Sequence, residues 1–178
     1  MNWEKELEEI SFGGQSEYFG RYLSEHPGEI PEVIKAISNI RSVIAWRAGW
    51  VLDTFARKHP IAIKPYVEEL TEILISTPHN GVRRHLTRIL SDIDPRQLED
   101  GRLVDLCFSW LINPKIPVAV KANSMSIIAN LTKIYPELAQ ELEIIINDAY
   151  EEGTAGYKSR SRKIMQQIKG KPEVGLAD

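Results

Sequence analysis

The fold is decided by a stretch that returns three times along the chain: NGVRRHLTRIL at residues 80–90, PVAVKANSMSIIANL at 117–131 and TAGYKSRSRKIMQQI at 154–168. Each begins with a residue that favours the start of a helix and continues with aliphatic residues at helical spacing. When the stretches are superposed, apolar residues fall at shared positions: Val82, Val120 and Tyr157 at one, and Ile89, Ile127 and Ile164 at another. The stretches therefore predict three helices that occupy equivalent places in a repeated unit.

The starts of these helices recur at a nearly constant interval. With an earlier start at Ser42, the intervals to Asn80, Pro117 and Thr154 are 38, 37 and 37 residues. Another apolar helix fits between each pair of starts, and a period of this length with two helices per unit is the signature of a helical-repeat stack. We predict an all-α superhelix, or solenoid, of about four antiparallel helix pairs with a right-handed twist. A non-repetitive helical bundle is the alternative.

Prolines, capping residues and apolar periodicity divide the rest of the chain. We predict helices at residues 2–10, 15–25, 30–41, 43–58, 65–76, 81–93, 101–112, 117–134, 136–151 and 155–168. Ser42, Asn80 and Thr154 are the expected N-caps, and Gly170 is an expected stop. Residues 1–169 are expected to form one domain in which 1–28 cap the stack, and residues 170–178 are expected to be a flexible tail.

The repeated helix resembles the second helix of HEAT-type repeats. The common pattern is an apolar residue, then Arg or Lys, then a spaced aliphatic stripe, and it occurs at Val82-Arg83, Val120-Lys121 and Trp46-Arg47. The resemblance covers residues 29–169 and implies a HEAT or armadillo-like solenoid whose second helices line a concave face. It implies no particular activity, because such a fold is a general-purpose binding surface.

Composition bounds the class of protein. The chain is 43% hydrophobic and 26% charged, as in ordinary globular proteins, and no apolar run approaches the roughly 20 residues of a membrane span. The N-terminus lacks the basic-then-apolar order of a secretory signal. The single cysteine, Cys107, lies in an apolar stretch, which predicts a core position and fits a reducing compartment. We expect a cytoplasmic protein with no membrane partner.

Charge is segregated between the two helices of the units. The first-helix segments carry 14 acidic and 4 basic residues, and the second-helix segments carry 14 basic and 3 acidic residues. The second helices therefore predict an electropositive groove that could hold an acidic protein segment or another polyanion, such as a phosphate backbone. In the alternative interpretation, acidic first helices and basic second helices neutralise each other through surface salt bridges.

The helix predicted at 43–58 departs from its own repeat. Trp46, Trp50, Asp53 and Arg57 follow one another at spacings of four, three and four residues, so they share one side of the helix. Asp53 stands where the other repeats place an aliphatic residue. The two indoles and the carboxylate could line a cleft for a cationic or flat aromatic group. Alternatively, the tryptophans pack against the preceding helix while Asp53 pairs with Arg57.

This helix is similar to part of the HEAT-like DNA glycosylases of alkylation repair, whose basic grooves combine tryptophans with an aspartate. The resemblance implies that Asp53 is a catalytic carboxylate and that Trp46 and Trp50 are cleft walls. The candidate binding residues from all these arguments are Trp46, Arg47, Trp50, Asp53, Arg57, Arg83, Arg84, Arg88, Lys121, Lys158 and Arg162.

Other chemistry finds little support in the sequence. The four histidines do not fall at metal-ligand spacing, and His85 is expected to be solvated beside Arg84 and Arg88. No glycine-rich phosphate loop is present, so we expect neither a metal nor a cofactor. Three classes of function stay open: a non-enzymatic binding or scaffold module with a protein partner, a nucleic-acid-binding protein with base excision at Asp53, and some other enzyme.

Overall fold

A computed structural model describes residues 1–10, 13–39 and 41–170. In this part of the chain the structure has helices and no strands. The α-helices are α1 (Trp3–Glu9), α2 (Gly13–Glu25), α3 (Ile30–Ile37), α4 (Ser42–Lys58), α5 (Pro60–Ile63), α6 (Val67–Ser76), α7 (Asn80–Leu90), α8 (Gly101–Ile112), α9 (Val118–Leu131), α10 (Leu138–Tyr150) and α11 (Ala155–Ile168). Short 3-10 turns precede α3, α6 and α8. Of these helices, none has both the length and the apolar character needed to cross a bilayer.

The helices form two layers of stacked pairs. Each first helix packs against the second helix that follows it, giving the pairs α3/α4, α6/α7, α8/α9 and α10/α11. The second helices also pack side by side, α4 on α7, α7 on α9 and α9 on α11, and among the first helices α8 contacts both α6 and α10. The predicted all-α solenoid is therefore confirmed, and the bundle alternative is not. At the N-terminal end, α1 packs on α3 and α2 packs on α4, so these helices continue both layers.

The helix boundaries follow local hydrogen bonding. The Thr154 hydroxyl accepts a hydrogen bond from the Tyr157 N–H at 3.3 Å, so Thr154 is the predicted N-cap of α11. Ser42 and Asn80, by contrast, are the first residues of α4 and α7 rather than their caps. The Asn80 side chain instead accepts a hydrogen bond from the Arg83 guanidinium at 3.2 Å. Gly170 has φ +73°, the left-handed conformation that stops a helix.

The first helices α3, α6 and α10 are shorter than predicted, and local bonding explains two of them. The first, α3, ends at Ile37 because the N–H groups of Ser38 and Asn39 bond carbonyls three residues back, which tightens the last turn. The other, α6, begins at Val67, after a 3-10 turn at Lys64–Tyr66 that includes Pro65. Because proline has no N–H to donate, it interrupts the α-helical hydrogen bonding there.

The core lies between the two layers, and α4 is its most enclosed helix. The face of α4 that includes Ala45, Gly49, Leu52 and Ala56 is buried. The small residues Ala45, Gly49 and Ala56 allow α2, α3 and α7 to pack closely around α4. Cys107 of α8 is fully buried, which confirms its predicted core position.

Side-chain amides tie the second helices together. Asn123 Nδ2 donates to the carbonyl of Arg84 at 3.3 Å, and Asn130 Nδ2 donates to the carbonyl of Ser91 at 2.9 Å. Gln167 Nε2 donates to the carbonyl of Ala129 at 3.1 Å. We call Asn123, Asn130 and Gln167 the amide ladder. Its bonds fix the register of α9 on α7 and of α11 on α9, since each amide reaches one particular carbonyl.

Candidate functional site

A cleft of about 350 Å³ crosses α4, α7, α9 and α11, the second helices of the four pairs. It is lined by Trp50, Asp53 and Arg57 of α4, Arg84, His85 and Arg88 of α7, Ala119, Ala122 and Asn123 of α9, and Arg160 of α11. We call it the arginine cleft. Five of the predicted binding residues meet here, because the side-by-side packing of the second helices brings equivalent turns of successive repeats together.

Small residues on α9 account for the depth of the cleft. Ala119 and Ala122 line it at the positions that Gly81 and Arg84 occupy in the preceding repeat. Two alanines on neighbouring turns leave a depression, while the longer side chains of α7 and α11 rise on either side of α9. The cleft therefore has an apolar floor and cationic walls.

Asp53 and His85 form a buried polar pair at one end of the cleft. His85 Nδ1 lies 3.0 Å from Asp53 Oδ2, and the residue Asp53 is only 7% exposed. An ionised carboxylate can only accept, so Nδ1 carries the proton in this contact. The expectation that His85 is solvated is wrong, because its side chain is only 12% exposed. Gly49 allows this burial: a Cβ on Gly49 would lie 3.4 Å from the Cβ of His85.

The second oxygen of Asp53 faces a guanidinium. Arg57 Nε lies 3.6 Å from Asp53 Oδ1 and donates to the Asp53 carbonyl at 3.4 Å. Oδ1 is buried and accepts no hydrogen bond from the residues that the structure describes. The carboxylate is thus held between His85 and Arg57, which is the ion-pair arrangement that the i, i+4 spacing indicated.

The two tryptophans of α4 differ in their access to the cleft. Their ring centroids are 5.8 Å apart with an interplanar angle of 25°, and the Trp46 ring also lies 6.5 Å from the His85 ring at 13°. Trp50 lines the cleft, whereas Trp46 packs against Gly81 at the start of α7. Hence one indole, not two, flanks the site.

The four arginines of the cleft differ in how their charges are compensated. Arg57 faces Asp53, and Arg88 Nη1 lies 3.1 Å from a carboxylate oxygen of Asp92 on the next turn. Arg84 and Arg160 form no ion pair with any described residue, and Arg160 Nη1 donates to the neutral hydroxyl of Ser126 at 2.8 Å. Two uncompensated guanidinium groups therefore face the cleft from α7 and α11, on opposite sides of α9.

Ion pairs between the two layers occur elsewhere. Lys158 lies 3.9 Å from Glu151, and Lys169 lies 2.6 Å from Glu143, both at the C-terminal pair of helices. None of the ion pairs between described residues joins an arginine of the cleft to an acidic first helix. Mutual neutralisation of the layers thus does not account for the charge of this cleft.

Two of the predicted binding arginines hold the stack together instead. Arg47 Nη1 donates to the carbonyls of Leu7 and Glu8, at 3.0 and 2.7 Å, and so anchors the end of α1 on α4. Arg83 Nε donates to the carbonyl of Thr77 at 3.1 Å, and its guanidinium carbon lies 5.2 Å from the centre of the Trp110 ring. Burial lowers the pKa of Arg83. Both side chains bridge neighbouring units.

The remaining predicted cations also lie outside the arginine cleft. Lys158 Nζ is 5.5 Å from the centre of the Tyr150 ring, and Arg162 Nη1 donates to the Tyr150 hydroxyl at 3.2 Å. Lys121 is half-buried, and its burial lowers the pKa of the ammonium group. These three cations therefore do not line the arginine cleft.

Sequence reasoning missed His85 and Asn123 as lining residues and did not include Arg160 among the candidate binding residues. A signal was present, since the offsets of 38 and 37 residues that align Val82, Val120 and Tyr157 also align these three. One position of the repeat thus presents a different polar group in each successive unit, three residues after the position of Val82, Val120 and Tyr157. Varied polar residues at one repeat position are what a binding surface requires.

The described residues include no group of three or more His, Cys, Asp or Glu side chains placed to hold a metal ion. Among known protein families, a HEAT repeat domain matches residues 5–168. Comparison with curated proteins gives no match, and comparison with solved structures gives none either. Helical repeats of this architecture act as scaffolds with extended binding surfaces. Since the match covers most of the chain and agrees with the layered helix pairs, this chain belongs to the HEAT repeat domain family.

Proposed function

We propose that this chain is a non-enzymatic binding module that holds an acidic segment of a protein partner in the arginine cleft. One observation carries the proposal: Arg84 and Arg160 face the cleft from opposite sides without an ion-pair partner among the described residues. Guanidinium groups bind carboxylates through two parallel hydrogen bonds, so an acidic segment would supply the missing counter-charge. The lone cysteine fits the cytoplasmic location that the proposal assumes.

The same features predict how binding responds to salt. The heads of Arg57 and Arg88 remain about half and more than a third exposed, so the cleft is open to solvent on its cationic side. Attraction between exposed charges weakens over a Debye length of about 8 Å at 0.15 M salt. Association with an acidic segment should therefore slow as the salt concentration rises.

A fluorescein-labelled peptide of alternating Glu and Gly residues provides the test. We expect saturable binding by fluorescence anisotropy that weakens across a series from 25 to 300 mM NaCl. Arg84→Gln and Arg160→Gln should each weaken it by about tenfold, the loss of one charge-assisted contact. Lys163→Gln is the matched control, since Lys163 is an exposed cation of α11 outside the cleft lining.

The Lys163→Gln control shows whether the peptide binds at the arginine cleft or is attracted by the charge of α11 as a whole. If Lys163→Gln weakens binding as much as Arg160→Gln, the attraction is a property of the whole helix and the cleft is not the site. If the peptide does not bind even at 25 mM NaCl, the proposal fails.

Nucleic-acid binding through the same cleft is the second candidate. The indole of Trp50 lies in the cleft beside arginines, a combination that suits a stacked base and its phosphate. Glycosylase chemistry at Asp53 has less support, because the carboxylate is nearly buried and is engaged by His85 and Arg57. If alkylated base is released from DNA and Asp53→Asn abolishes the release with affinity unchanged, Asp53 is catalytic; undiminished release would eliminate that role.

A further inference from the structure

We infer that the group which anchors the partner in the arginine cleft is a phosphorylated side chain of that partner, rather than a carboxylate. This inference deepens the proposed function and rests on it. It starts from a match of charge. Two guanidinium groups, those of Arg84 and Arg160, are uncompensated, and a phosphorylated side chain carries a charge of about −1.5 to −2 at neutral pH. A single Glu or Asp would leave one of the two unpaired.

The shape of the cleft points the same way. Arg84 on α7 and Arg160 on α11 stand on either side of α9, whose Ala119 and Ala122 form a floor without polar groups. A compact tetrahedral anion on this floor presents oxygens in several directions, as simultaneous contact with two walls requires. The planar carboxylate presents two oxygens in one plane and suits one guanidinium fork.

The rest of the lining is already committed to internal contacts. Asp53 bonds His85, and the Asn123 amide donates to the carbonyl of Arg84 and to the Thr87 hydroxyl, each at 3.3 Å. These bonds hold α7, which carries Arg84, against α4 and α9, and the bond from Arg160 to Ser126 joins α11 to α9. Preorganised donors of this kind favour a ligand that needs several of them together.

The contacts of several other cations disfavour a long nucleic-acid strand. Three residues that would continue the arginine cleft into a groove have partners elsewhere: Arg47 and Arg83 bond backbone carbonyls, and Lys158 lies over the Tyr150 ring. A strand with a phosphate at every nucleotide needs a cationic track, whereas one phosphorylated side chain needs a single pocket.

The experiment compares four labelled probes on the full chain. Three are a short peptide with Gly and Ala around a central phosphoserine, the same peptide with glutamate there, and the same peptide with serine. The fourth is a single-stranded dT oligonucleotide. We expect the phosphoserine peptide to bind at least about tenfold more tightly than the glutamate peptide, and the serine peptide not to bind.

Variants test the geometry of the contact. Arg84→Lys and Arg160→Lys keep the charge but lose the guanidinium fork, so each should weaken binding of the phosphoserine peptide by about tenfold. Lys163→Arg, outside the cleft, should leave it unchanged. Circular dichroism and thermal unfolding of each variant show whether it is folded, so that a loss of binding is not mistaken for a loss of structure.

The possible results separate this inference from the proposed function. Equal affinity for the phosphoserine and glutamate peptides, with both lost in Arg84→Gln, overturns the inference and leaves the proposed function standing. Absence of binding to all three peptides overturns the inference, and absence of binding to the alternating Glu and Gly peptide as well overturns both. Tighter binding of the oligonucleotide than of the phosphoserine peptide overturns the inference in favour of nucleic acid.

Discussion

Asp53 contributes to stability where α4 borders the arginine cleft. Its Oδ2 accepts from His85 at 3.0 Å, and its Oδ1 lies 3.6 Å from Arg57. We predict that Asp53→Ala lowers the free energy of unfolding by about 1–3 kcal/mol, since a half-buried ring N–H loses its partner. Urea denaturation measures the change. Asp92→Ala, which removes the exposed partner of Arg88, should stay within about 0.5 kcal/mol, and an equal effect would contradict the structural role of Asp53.

The buried thiol of Cys107 makes the stability of the folded protein depend on pH. Burial raises the pKa of its thiol from 9.0 to about 12. Above pH 9 the unfolded chain loses a thiol proton that the folded chain keeps until about pH 12, so this group makes stability fall with rising pH across that window. We expect the wild-type protein to lose stability more steeply between pH 8 and 10.5 than Cys107→Ala does. Parallel curves would show that the thiol does not contribute.

The candidate site could be predicted from the sequence only within single helices. The row that includes Trp50, Asp53 and Arg57 was correct because helical spacing fixes which residues share a side. The pairing of Asp53 with Arg57 also followed from that spacing. The contact of Asp53 with His85 was not predicted, because His85 was expected to be solvated. The sequence does not contain the distance between α4 and α7, which approach each other closely at Gly49. That distance depends on the side chains of both helices.

At the scale of the element, glycines mark where helices touch. A Cβ on Gly81 would lie 2.9 Å from the Cβ of Trp46, while one on Gly101 would meet nothing within 4 Å. We predict that Gly81→Ala destabilises the protein by about 1–3 kcal/mol through overpacking. Gly101→Ala, at the first residue of α8, should stabilise it by up to about 1 kcal/mol. Differential scanning calorimetry compares them, and a stabilised Gly81→Ala would mean that α4 and α7 do not pack this closely.

If the amide ladder stabilises the stack, replacing one of its amides with a carboxylate should lower the free energy of unfolding. Asn130→Asp replaces the donor that faces the Ser91 carbonyl with an acceptor, so it should cost about 1–3 kcal/mol in unfolding free energy. Asn147→Asp makes the same chemical change at an exposed position of α10 and should cost less than about 0.5 kcal/mol. Urea titration of both variants at pH 7 is the measurement. Similar costs would show that the bond between α9 and α7 does not matter.

The starts of the second helices lie within one residue of prediction, because three superposed stretches of sequence define one register. The ends of α7 and α9 were predicted too late. Among the first helices, α8 was predicted at its observed bounds, whereas α3 and α6 were predicted too long. The 3-10 bonding at Ser38 and the proline turn before Val67 decide those boundaries through local backbone geometry.

For the whole molecule, stacking of pairs predicts a gradient of protection. The enclosed helix α4 packs against α1, α2, α3, α5 and α7, whereas the main neighbours of α11 among the described helices are α9 and α10. Local opening is easiest where fewest neighbours are lost. Hydrogen exchange followed by mass spectrometry should therefore show the slowest exchange in α4 and α7 and the fastest in α10 and α11. Uniform protection along the chain would instead indicate one all-or-none unit.

The architecture of the whole chain could be predicted because it is periodic, whereas only the total charge of each layer could be predicted. Those totals indicated that cations gather on the second helices. It did not say which of them bind backbone carbonyls, as Arg47 and Arg83 do, and which stay free, as Arg84 does. That division depends on distances between helices of different repeats, which charge counts do not contain.

The amide ladder also has a direction. Asn123, Asn130 and Gln167 each donate to a carbonyl about 38 residues earlier, and Arg47 reaches back to Leu7 and Glu8 in the same way. During synthesis on the ribosome, the earlier helix leaves the exit tunnel first and offers a finished template. Each newly made repeat can then dock at once, without waiting for sequence still to be translated.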